Sequence, residues 1–113
     1  MATPLELVQG QFEAYNQHDI DKFANYFSEN FVAYRMPLQK PSLEGRDQLI
    51  KFYTEQRFNV PELRAELITR QVMGNKVFDY EIIHGMSEVP IETFAIFEIK
   101  DNLICTAWFY NKD

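Results

Sequence analysis

The stretch "RQVMGNKVFDYEIIHG", residues 70–85, decides how this chain folds. Gly74-Asn75 stands between two runs rich in β-branched and aromatic residues, the signature of a hairpin closed by a two-residue turn. That turn sets Met73 opposite Lys76 and Arg70 opposite Asp79. Side chains alternate faces along a strand. Arg64, Glu66, Ile68, Arg70 and Val72 therefore share a side with Val77, Asp79, Glu81 and Ile83. Leu67, Thr69, Phe78, Tyr80, Ile82 and His84 take the other. The charged cluster is divided, and of Arg70, Asp79, Glu81 and His84 only His84 falls on the aromatic side.

Outward from this hairpin the chain reads as strands over 63–73, 76–84, 91–100 and 103–110, the last two joined at Asp101-Asn102. The second hairpin sorts Ala95, Phe97, Thr106, Trp108 and Tyr110 to one side, and Phe94, Ile96, Glu98, Cys105, Ala107 and Phe109 to the other. The join "GMSEVP" is not fixed by sequence, and a bulge there reverses part of the sorting. Upstream, Thr3, Pro4 and Glu6 form a capping box with proline at the first helical position, followed by Leu5, Val8, Phe12 and Tyr15 on one helical face. Asp19 caps a second short helix carrying Ile20, Phe23, Ala24 and Phe27. "FVAYRM" reads as a strand and "PLQKPSLEG" as a loop. "RDQLIKFYTEQRF" reads as a third helix that Pro61 stops from continuing. The order predicts an α+β fold, with helices covering one face of a curved antiparallel sheet and residues 1–113 forming one domain.

Composition narrows the function. A chain of 113 residues with ten Phe and six Tyr can build aromatic walls that suit an apolar ligand. Net charge is −6, and the eleven Lys and Arg form no run, which argues against nucleic acid and against a membrane surface. One cysteine, Cys105, allows no internal disulfide; with no leader pattern, the cytoplasm is the expected compartment. Two His and one Cys give no metal spacing, and four isolated Gly give no phosphate loop, so no cofactor is expected.

The ordered segments "AYNQHDIDKFANYFSENFVAY", "EGRDQLIKFY", "GNKVFDYEIIHG" and "FEIKDNLICTAWF" resemble the SnoaL-like branch of the nuclear transport factor 2-like superfamily over nearly the whole chain. The resemblance implies a cone-shaped α+β barrel of three N-terminal helices on a curved, mainly antiparallel sheet. It also implies a pocket between sheet and helices and a homodimer through the outer sheet face. Relatives of this kind include ketosteroid isomerases, polyketide cyclases, epoxide hydrolases, dehydratases and non-catalytic binding domains, so the fold alone does not fix the chemistry. Ketosteroid isomerase chemistry needs a carboxylate base and two donors, a Tyr and a protonated Asp, at the enolate oxygen. Aligned without gaps, the resemblance puts the tyrosine at Gln11, the base at Arg35 beside Met36, and the second acid near Ala95. All three are replaced, and an authentic ketosteroid isomerase is not expected. The polyketide cyclases' acid/base aspartate also finds no carboxylate on the aromatic face; Asp47 and Glu88 reach at most a pocket mouth.

The aromatic side is the cheaper one to bury, which points it at the helices. His84 is then the acid/base candidate and Tyr80 the hydrogen-bond donor, with Tyr15, Arg35, Tyr53, Phe97, Trp108 and Tyr110 as ligand-binding candidates. An inward Arg35 suits a carboxylate or enolate; an outward one is a solvated strand end. Arg70, Asp79 and Glu81 read as cross-strand ion pairs of the outer face, where Ile96, Ala107 and Phe109 form an apolar stripe for dimerisation. His18 reads as a turn residue and Cys105 as packing. Two functions fit. One is a cofactor-free isomerase, cyclase or dehydratase acting on a small hydrophobic carbonyl compound. The other is a non-catalytic ligand-binding or dimerisation module of the same fold.

Overall fold

The computed structural model describes residues 2–113, folded as α1 (Pro4–Asn16), α2 (Ile20–Ala24), β1 (Phe27–Arg35), β2 (Pro41–Glu44), α3 (Arg46–Gln56), β3 (Arg64–Met73), β4 (Lys76–His84), β5 (Ile91–Lys100) and β6 (Leu103–Asn111). The helix starts follow local chemistry. Thr3 and Glu6 close the capping box ahead of Pro4, and the Asp19 carboxylate accepts from the Lys22 amide to open α2. The segment 41–44, expected as loop, pairs with β1 as a short edge strand. β1 also begins four residues earlier than "FVAYRM", because Phe27 pairs with Ile104 of β6.

The six strands run in the order β2-β1-β6-β5-β4-β3, antiparallel except where β1 lies parallel to β6. The sheet is open, with β2 and β3 at its edges. The helices cover one face, and the core between them holds Val8, Phe23, Phe31, Leu49, Val77 and Ile104, all within 1% of full burial. Asn16 ties the end of α1 to β3 through two bonds to the Ala65 backbone, at 2.7 and 3.0 Å. His18 secures the same end by its bond to the Leu63 carbonyl at 2.8 Å.

Both hairpin turns form as read. Gly74 takes φ +59°, and Asp101 and Asn102 take φ +53° and +65°, the left-handed pair of a type I′ turn. Arg70 lies opposite Asp79. The assignment of faces, however, is reversed, for three reasons of register. First, β5 joins β4 with Phe97 opposite Val77 and Ala95 opposite Asp79, so the buried Ala95 and Phe97 share a face with Asp79 and Glu81 rather than with Tyr80 and His84. Second, Cys105 is an extra residue between the Ile99–Ile104 and Glu98–Thr106 pairs. This bulge turns Ala107 and Phe109 inward and Trp108 and Tyr110 outward. Third, Ile68 is an extra residue in β3, so Glu66 moves to the outer face, where it meets His84 at 3.0 Å. Of the apolar stripe expected on the outer face, only Ile96 remains there; Ala107 is fully buried and Phe109 packs on the core.

Candidate functional site

The covered face is expensive to build. Asp79 is fully buried, and Glu81, two residues along the same strand, is only 8% exposed. Burying a carboxylate demands a partner, and Asp79 has one. Arg70 grips it in a bidentate fork, Nε to Oδ1 at 2.7 Å and Nη2 to Oδ2 at 2.8 Å. The guanidinium's remaining Nη1 donates to Gln9 Oε1 of α1 at 2.6 Å, and its carbon lies 5.9 Å from the centre of the Phe12 ring. The pair is thus fixed from the sheet below and from α1 above.

Glu81 has no such cation to itself. Burial and the neighbouring Asp79 charge, with a hydrogen bond to Asp79, push its carboxyl up to about 8, against a smaller lowering by Arg70. The fold thereby favours the protonated form of a buried carboxyl, which can donate a hydrogen bond or a proton.

It faces a cavity of about 110 Å³ that opens between the sheet and the helices. For scale, an apolar cavity of about 150 Å³ admits benzene. Phe23, Phe27, Phe31, Phe97 and Phe109 form its apolar wall. Tyr15 of α1 and Tyr53 of α3 meet across it edge to face, with ring centres 6.2 Å apart. Burial is the main cause that raises both phenols, so each keeps its proton and remains a donor. Gln11, the residue aligned with the isomerase tyrosine, also lines the cavity, its amide donating to the Val8 carbonyl at 3.0 Å.

Of the residues proposed from sequence, the structure brings Tyr15, Arg35, Tyr53 and Phe97 together around this cavity. Trp108, Tyr110, Tyr80 and His84 lie on the opposite face of the sheet. There Tyr80 donates to Glu92, which holds the tyrosine's pKa up and the glutamate's down. Trp108 stacks near Tyr34 with ring centres 6.4 Å apart, and Tyr110 is 45% exposed. Asp47 and Glu88 are exposed and do not line the cavity. Glu81 and Arg57 are the two chemically active lining residues that the sequence reading missed. The signal for Glu81 was present: Arg70 opposite Asp79 offers a buried carboxylate its partner, which makes the charged face able to bury. Among the described residues no three His, Cys, Asp or Glu side chains gather as metal ligands.

The arrangement of three helices on an open, mostly antiparallel sheet is shared with solved nuclear transport factor 2-like structures. An NTF2-like protein of unknown function from Cytophaga hutchinsonii superposes with a TM-score of 0.84 at 16% identity, over 99% of this chain and 92% of that one. A candidate ketosteroid isomerase from Kribbella flavida gives 0.82 at 14% identity, over 95% and 76%. A candidate polyketide cyclase from Sinorhizobium meliloti gives 0.78 at 19% identity, over 91% and 92%. At these identities the likeness defines the fold alone. The family follows from the sequence: the SnoaL-like domain family model matches residues 8–107, and the chain belongs to that family. No curated protein matches the sequence.

Proposed function

We propose that this protein is a cofactor-free acid–base catalyst of the isomerase, cyclase or dehydratase type, acting on a small hydrophobic carbonyl compound, with Glu81 as its proton-transfer group. One observation carries the reading: Glu81, a buried carboxyl beside the Arg70-held Asp79, lines an aromatic cavity, where burial and the Asp79 charge raise its pKa. A general acid or base works best when its pKa lies near the working pH, because then both protonation states are accessible. Tyr15 and Tyr53 supply hydroxyls that hold their protons and can stabilise the developing enolate oxygen. Asp79 and Arg70 stand behind Glu81 and set its affinity for the proton. The replaced isomerase positions remain consistent with this scheme, because the carboxyl arrives from β4 instead of β1.

The test is exchange of α-protons of small enolisable ketones into D₂O, followed by proton NMR. Wild-type protein is expected to accelerate exchange for at least one ketone of a panel, and Glu81→Gln to lose about 10²-fold or more of that acceleration. Equal exchange with and without the Glu81 carboxyl sinks the catalytic reading. A protein that binds such ketones without exchanging them is the ligand-binding module instead.

The outer face supports a second copy of the chain. Phe94 and Tyr110 are 39% and 45% exposed there, beside the half-buried Phe78, Ile96 and Trp108. Apolar surface of this kind on a sheet is suited to an isologous pair. Sedimentation at micromolar concentration is expected to give twice the 13.4 kDa chain mass, and Phe94→Lys to give a monomer. A wild-type monomer rejects this interface.

A further inference from the structure

Two arginines at the cavity make no ion pair among the described residues. Arg35, at the end of β1, and Arg57, at the cap of α3, both line it. Both guanidiniums lie against the one ring of Phe52, at 5.9 and 4.8 Å from its centre. Among the described residues neither has an Asp or Glu oxygen within 4.0 Å. Arg57 donates one hydrogen bond, from Nη1 to the Gln56 carbonyl at 2.8 Å. Arg70 makes the contrast, its donors taken up by Asp79 and Gln9.

In a chain of net charge −6, two unpaired cations at one opening reverse the local sign and draw anions to it. Contact with a shared aromatic ring limits the guanidinium orientations while leaving N–H edges free, and those edges match a carboxylate. Tyr53 ties the two regions of the cavity together: its ring meets Phe52 edge to face with centres 5.2 Å apart, and it lines the same cavity as Arg35, Arg57 and Glu81. Cations at the mouth, an aromatic middle and a carboxyl on the sheet therefore belong to one site.

We propose that Arg35 and Arg57 form an anion clamp, and that the ligand is an amphipathic carboxylate with a short aromatic or alkenyl body. Its head group is held at the arginines, and its body enters the Phe-lined space toward Glu81. The clamp deepens the acid–base reading by naming the substrate class; its recognition half stands without catalysis.

The test is calorimetric titration at pH 7 and low salt with 3-phenylpropionate and its uncharged analogue 3-phenylpropanamide. The carboxylate is expected to bind at least about tenfold more tightly. The double variant R35M R57M, checked for its fold by circular dichroism, is expected to lose that preference and keep the amide affinity. Equal wild-type affinities, no binding of the carboxylate at millimolar concentration, or a preference that survives in the double variant each overturns the clamp. Glu81→Gln is expected to keep the preference. If it does while ketone exchange proves independent of Glu81, the clamp stands and the acid–base reading falls. If Glu81→Gln alone abolishes the preference, the clamp falls.

Discussion

Replacing Arg70 by alanine is expected to destabilise the fold by about 3–5 kcal/mol, because it leaves the Asp79 carboxylate buried with no cation. Asp79 has no exposed surface, and the Arg70 fork engages both of its oxygens, so the substitution strips the carboxylate of the two charge-assisted bonds that offset its burial. The same change removes the hydrogen bond to Gln9, which helps α1 lie on the sheet. It also removes the positive charge that opposes the rise of Glu81, so that carboxyl moves higher still. The informative control is the double variant R70M D79L. Removing both charges and filling their space is expected to return stability to within about 1 kcal/mol of wild type, since a buried pair stabilises little beyond an apolar replacement. Urea unfolding reads both variants. A loss below about 1 kcal/mol for Arg70→Ala contradicts the burial of the pair.

The second large effect is on pH dependence. Below about pH 4.5 Glu81 holds its proton in both the folded and the unfolded chain. Between about 4.5 and 8 the unfolded chain releases the proton while the folded chain retains it, so Glu81's share of stability falls as pH rises. Above about 8 both states are ionised and the loss is complete. The scale is about 1.4 kcal/mol for each unit of separation between the two states. Glu81→Gln removes the titration. Its stability is expected to exceed wild type above pH 8 and to lack this descending limb. Urea midpoints measured from pH 5 to 9 show the difference; parallel curves for the two proteins contradict a raised Glu81.

How far the sequence could be read follows from what each signal contains. Period-two alternation, turn chemistry and the capping box are local, and they placed three helices, the four-strand meander and the Arg70–Asp79 pair. β2 escaped because "PLQKPSLEG" is rich in turn formers, and its strand state comes from β1 beside it. The site was lost at single residues. Ile68 and Cys105 are bulges with no propensity signal of their own, and each reverses every side chain on one side of it. The ranking of faces by burial cost also failed, for a reason that generalises. It read Asp79 and Glu81 as cross-strand ion pairs that stay at a half-wet surface, whereas the Arg70 fork lets Asp79 be buried and burial raises Glu81 toward its protonated form. Tyr15, Tyr53 and Phe97 line the cavity because helix packing and the β5 core place them there, whichever way β6 turns.

Carbon-13 NMR of the glutamate carboxyl groups measures directly whether Glu81 keeps its proton in the aromatic cavity. With the Glu81 resonance assigned by its absence from Glu81→Gln, its midpoint is expected near 8, well separated from the ordinary glutamate midpoint near 4.5. A Glu81 midpoint near 4.5 leaves the cavity with an ordinary carboxylate and contradicts the acid–base role.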